Sequence, residues 1–125
     1  MQTFTLATAA IFAMTAIILG AFGAHAFKKI LSEEKLTSFE TGVKYQMYSA
    51  LALLIIGFNI DFNLYNARFA VYSIVLGTLL FSVSIYFLSF ADYWKKNFRF
   101  LGPITPLGGL LMIIGWAALL VNFLK

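Results

Sequence analysis

Five side chains in the uncharged runs of this sequence are candidates for a common polar site, one imidazole, one amide and three hydroxyls, at His25, Gln46, Ser82, Ser84 and Tyr86. His25 is the single histidine among 125 residues and lies where an uncharged stretch runs into Lys28 and Lys29. An imidazole at such a place is either a functional candidate or simply an interfacial residue beside the negative end of a helix. Gln46, Ser82, Ser84 and Tyr86 are donors and acceptors that stay neutral at physiological pH. If they converge with His25 between helices, they make the kind of polar site that a small transporter or channel uses. If they bond locally, they hold helices together.

Other chemistries lack their residues. Without cysteine there is no thiolate nucleophile, no disulfide and no cysteine-bound metal. One histidine without clustered carboxylates falls short of a metal's ligand count, so no metal or other cofactor is expected. Glu33, Glu34 and Glu40 fall in the first polar stretch, Asp61 in the second and Asp92 at a helix exit. None of them is placed as the buried carboxylate that proton-coupled transport uses. A glycine-rich phosphate loop and a serine, histidine and acid set are both missing. The chain reads as non-enzymatic.

The elements that position these residues follow from where the charges are. The sequence is 62% hydrophobic and 11% charged, against about 45–50% and about 25% in soluble domains. Uncharged runs cover residues 1–27, 45–60, 69–91 and 100–124, and a bilayer crossing takes roughly 17–25 residues. The expected fold is all-α, a single domain over residues 1–125, forming an integral membrane antiparallel four-helix bundle. Its spans are placed at about 4–27, 43–60, 69–91 and 106–124. Ala24-His25-Ala26 has the small-x-small form of a signal-peptidase site, but the uncharged start and the length of the apolar run favour a retained helix.

Small residues mark the faces on which these helices meet. Ala9, Ala13, Ala16, Gly20 and Gly23 alternate at spacings of four and three, a heptad stripe that allows close approach in lipid, where hydrophobic drive between helices is weak. Ile11, Ile18 and Phe22 then face outward. Gly77 and Ser84 continue the pattern on the third span, and Gly108 and Gly115 on the fourth. Ser32 followed by Glu33 and Glu34 is an N-cap with acids in the first turn. The segment after it, with Leu36, Phe39, Val43 and Met47 at helical spacing, is expected to lie along the headgroups before the second span. Thr105 as N-cap with Pro106 as first residue is the expected start of the fourth.

Lysine and arginine set the orientation. Seven of the nine basic residues lie in two loops, Lys28, Lys29, Lys35 and Lys44 in one and Lys95, Lys96 and Arg99 in the other, against Arg68 and Lys125 on the opposite face. That asymmetry places both basic loops in the cytoplasm and both termini outside. Lys28, Lys29, Lys95, Lys96 and Arg99 are expected to touch anionic headgroups of membrane lipids. A net charge of +4 beside apolar runs favours lipid over nucleic acid as the partner. The small-residue stripes also leave room for a homo-oligomer or another membrane protein. The two exits share an alanine-rich and lysine-rich form, and in a parallel repeat His25 would stand level with Asp92 and pair with it.

Four motifs together carry a resemblance: Leu19–Ala26 (LGAFGAHA), Thr41–Tyr48 (TGVKYQMY), Leu80–Tyr86 (LFSVSIY), and Ile104–Gly109 (ITPLGG) with Gly115-Trp116. The chain resembles the small inner-membrane proteins of the YgdD/YwdK type, a domain of unknown function numbered 423 whose animal relative is transmembrane protein 256. The resemblance implies a multi-helix membrane protein without an assigned activity. The role expected is a packing, assembly or lipid-contacting component.

Overall fold

The computed structural model describes residues 1–125 as four long helices and no strand. They are α1 (Gln2–His25), α2 (Glu33–Asn59), α3 (Tyr65–Trp94) and α4 (Ile104–Leu124). A chain in oil has to bond its backbone to itself, and helices do this within each segment. Both prolines stand at the beginning of α4, at residues 103 and 106, where no helix is interrupted. The fold is all-α.

Two hairpins make the bundle, α1 against α2 and α3 against α4. Their shared core joins Ala9 and Phe12 of α1, Ala50, Leu53 and Ile56 of α2, Ala70, Val71 and Ile74 of α3, and Leu119 of α4. Around it the large apolar side chains point outward. Ile17, Ile55, Phe58 and Ile113 are each more than 60% exposed, an unfavourable surface in water and an ordinary one in lipid. Helices α1 and α3, and α4 with its short lead-in from Arg99, are long and apolar enough to cross a membrane. Helix α2 has the length, 27 residues or about 40 Å. It is less apolar because Gln46 and Ser49 sit on its buried face and Lys44, Tyr45 and Tyr48 on its exposed one.

Three local features differ from expectation. Helix α2 runs without interruption from Glu33 to Asn59, so the segment before span two is its first turns and not a separate surface helix. Ser32 caps it, its hydroxyl accepting from the Lys35 amide at 3.2 Å. Helix α4 begins at Ile104 behind Pro103 without a side-chain cap. Thr105 is therefore not the N-cap; its hydroxyl is engaged across the bundle with Ser84 at 2.5 Å. Within α3, Leu79–Val83 widens into a π-turn, which no residue pattern announces.

The two hairpins use their small residues differently. A Cβ built on Gly108 would overlap the Phe81 amide nitrogen and stand 2.7 Å from the Gly77 carbonyl oxygen, so α4 lies against the backbone of the π-turn. About two turns further along the same face, a Cβ on Gly115 would stand 3.0 Å from the Ala70 carbonyl oxygen, against the α-helical part of α3. On α1, Gly20 would meet only a Val43 methyl at 3.5 Å, and Gly23 the Phe39 ring at 3.1 Å. Ala9 and Ala16 are buried on that stripe, and Ala13 partly so. Helix α3 ends on Lys95, the one non-glycine residue with a left-handed backbone, φ 56°. The Lys96 amide closes that end by bonding to the Ala91 carbonyl at 3.0 Å.

Candidate functional site

Gln46 is the centre of the polar interior. It projects from the buried face of α2, and its amide reaches two other helices. The nitrogen donates to the Phe12 carbonyl of α1 at 3.0 Å and to the Thr15 hydroxyl at 2.5 Å. The oxygen accepts from the Tyr86 hydroxyl of α3 at 2.6 Å. Thr15 passes its own hydrogen back to the Ile11 carbonyl at 2.8 Å. Thus one amide joins α1, α2 and α3 halfway along α1.

Ser82 lies in the π-turn and donates to the Gly42 carbonyl of α2 at 2.7 Å. One turn further along, Thr78 donates to Ser49 at 2.8 Å, a second hydroxyl link between the same helices. A π-turn carries one residue more per turn than the α-helix around it, which re-aims the side chains on either side. Here Ser82 and Thr78 both reach α2 while Gly77 and Ser84 face α4. Every buried side-chain nitrogen and oxygen has a partner.

Between α1 and α3 a crevice of about 310 Å³ opens above this cluster. Gln46, Thr15, Thr78, Ser82 and Tyr86 contribute to its lining, with Ile11, Leu19, Leu79 and Val83 as apolar walls. Of the five candidate residues, Gln46, Tyr86 and Ser82 meet here. Ser84 is buried but turned to α4, bonded to Thr105 and to the Phe81 carbonyl at 2.9 Å. His25 is exposed at the last residue of α1, away from the cluster, and Asp92 is exposed at the end of α3.

Thr15, Ser49 and Thr78 complete the polar contacts and were not singled out by the sequence; Thr105 was expected only as an N-cap, and Gly42 appeared only within a motif. A signal existed for Thr15. In a hairpin of two straight helices, residues about equally far from the turn face each other, and Thr15 and Gln46 stand so about Ile30 and Leu31. A buried glutamine demands donors and acceptors at its own depth. Below this level an aromatic cluster closes the basic end of the bundle. Phe27 stands edge-on to Phe39 at 5.3 Å and to Phe90 at 4.9 Å, and Phe39 lies 5.1 Å from the Tyr86 ring.

Residues 19–109 match the family described as "Protein of unknown function (DUF423)". The chain belongs to that family. A UPF0382 membrane protein of Staphylococcus epidermidis is 41% identical over 113 residues, 90% of this chain and 88% of its own. The UPF0382 membrane protein YwdK of Bacillus subtilis is 38% identical over 118 residues, covering 93% and 92%. A UPF0382 membrane protein of Haemophilus influenzae is 36% identical over 109 residues, covering 87% and 84%. No solved structure matches the chain. This DUF423 member is an all-α membrane protein, and the matched segment holds Gln46, Ser82, Ser84, Tyr86 and Gly108, while Thr15 and Gly115 lie beyond it.

Proposed function

We propose that this membrane protein acts without catalysis, as a lipid-contacting assembly component of the cell membrane with both termini outside. The observation that carries the reading is the internal closure of its polar groups. Gln46, Tyr86, Ser82 and Thr78 bond to one another's helices, and no buried side-chain polar atom is left over for a substrate. Side chains so engaged rigidify a bundle. Its outer surface is apolar and aromatic, and Lys28, Lys29, Lys95, Lys96 and Arg99 are exposed together at one end, suited to anionic headgroups.

A second reading, a small transporter or channel, is favoured by the crevice between α1 and α3 with polar groups in its lining. Extraction from native membrane in mild detergent, with identification of the proteins and lipids that stay bound, separates the two. Anionic phospholipid or a defined membrane-protein partner is the expected result. Persistent recovery of one small molecule with neither of these would overturn the first reading.

A further inference from the structure

We infer that a cleft at the basic end of the bundle binds the headgroup of a hydroxylated anionic phospholipid, its phosphodiester on Lys35 and Ser38 and its hydroxyl on Ser89 and Thr105. This rests on the lipid-contacting reading above and names the ligand. The cleft measures about 420 Å³ and lies between the first turns of α2, the last turns of α3 and the start of α4. It differs from the other large hollows in that four of its eight lining residues, Lys35, Ser38, Ser89 and Thr105, carry polar side chains and only Ile85 and Leu88 are large and apolar. No carboxylate lines it.

The hydrogen-bond pattern fixes which lining groups can still give a proton. Lys35 is partly buried, and its one side-chain-linked bond is made by the backbone amide, to Ser32, so its ammonium retains three donors. Ser38 is one helical turn on, on the same face, and its hydroxyl is also uncommitted. Ser89 gives its only hydrogen to the Ile85 carbonyl at 2.8 Å. Ser84 gives its own to the Phe81 carbonyl, so in the Ser84–Thr105 pair the hydrogen comes from Thr105. Ser89 and Thr105 are therefore acceptors toward the cleft.

A cleft with donors and a positive charge on one side and acceptors alone on the other suits a ligand that is anionic at one point and donates at another. A phosphodiester esterified to a polyol has both parts. Ile85 and Leu88 form the apolar wall beside them, and the cleft sits less than two turns from Trp94 at the interfacial end of α3. A headgroup tethered to acyl chains reaches this depth and leaves its chains on the apolar wall, whereas a soluble phosphate uses neither the wall nor the depth.

The test uses the full chain, delipidated in a neutral detergent and titrated with dihexanoyl phosphatidylglycerol, dihexanoyl phosphatidylcholine or glycerol phosphate, with bound ligand read by native mass spectrometry. Phosphatidylglycerol should bind at one site and phosphatidylcholine should not. Lys35→Gln should weaken it about tenfold, as for loss of a hydrogen bond to a charged group. Lys35→Arg should retain it, which separates charge from any folding defect. Lys44→Gln, an exposed lysine of the same helix outside the cleft, should change it by about twofold at most. Equal losses in Lys35→Gln and Lys44→Gln, or glycerol phosphate binding as tightly as the lipid, overturn the proposal. Phosphatidylglycerol held equally by wild type and Lys35→Gln sinks the cleft alone; no anionic lipid held by any form sinks the lipid-contacting reading with it.

Discussion

The Tyr86 hydroxyl donates to Gln46 Oε1 at 2.6 Å, and this bond is the direct polar link between the α1–α2 hairpin and α3 at the level of Phe12. Tyr86→Phe keeps the ring against Phe39 and removes only the hydrogen bond. Cross-helix bonds in membranes average about 0.6 kcal/mol and reach about 1.7, so a loss of about 1 kcal/mol is expected. Gln46→Leu removes the links to both neighbours and leaves the Tyr86 hydroxyl without its acceptor, for about 2 kcal/mol. Unfolding by dodecyl sulfate in mixed micelles measures both. Equal stability of Gln46→Leu and wild type would show that the cluster holds nothing together.

The glycines of α1 and α4 should respond in opposite ways. At Gly108 any side chain meets backbone, the Phe81 nitrogen and the Gly77 oxygen, which cannot move without parting α3 from α4. Gly108→Ala should cost at least about 2 kcal/mol, in the range of overpacked cores. At Gly20 an added methyl finds Val43 at an ordinary 3.5 Å. Gly20→Ala should be neutral or slightly stabilising, because alanine favours the helix by roughly 0.8–1 kcal/mol. Thermal unfolding of the purified variants compares them.

These differences mark how far the sequence could be read. Charge-free runs and small-residue stripes located four helices, because a crossing length and close approach in lipid are properties of single segments. Gly77, Gly108 and Gly115 were visible for that reason. Gly42 and Gly57, where an added methyl would crowd Tyr86 and Leu6, were not, since neither was read as part of a small-residue stripe. Gln46, Ser82 and Tyr86 were legible as polar residues in apolar runs. Their partners depend on hairpin register and on a π-turn that rotates α3, and neither is written in local spacing. Thr105 shows the limit most directly: its position satisfied a capping rule, and a contact with Ser84 across the bundle took its hydroxyl instead.

Orientation is testable without knowing the role. Lys28, Lys29, Lys35, Lys95, Lys96 and Arg99 lie at one end of the bundle with Lys44 about three turns along α2, against Arg68 and Lys125 at the other end. Reporter fusions to either terminus should be active outside the cytoplasm, and fusions truncated near Asn97 active inside it. Moving charge should move the protein: replacing Lys28, Lys29, Lys95 and Lys96 by glutamine should produce a mixed orientation. A terminal reporter that fluoresces or is cleaved in the cytoplasm would reverse the assignment.

Gly42 offers the sharpest test of how the cluster is held. A Cβ there would come within 2.8 Å of the Tyr86 ring at Cε1 and 3.2 Å of the Ile85 Cγ2 methyl. The ring is a side chain and can swing, but swinging moves the hydroxyl off Gln46 Oε1. Gly42→Ala should therefore destabilise partly by crowding and partly by breaking that bond. In Tyr86→Phe the bond is already gone, so the second substitution loses only the crowding part. The double variant should be less destabilised than the sum of the singles by about 0.5–1 kcal/mol, a coupling expected for residues in contact. Strict additivity in micelle unfolding would mean that the ring yields to the methyl without moving its hydroxyl, and that the bond does not depend on the glycine beside it.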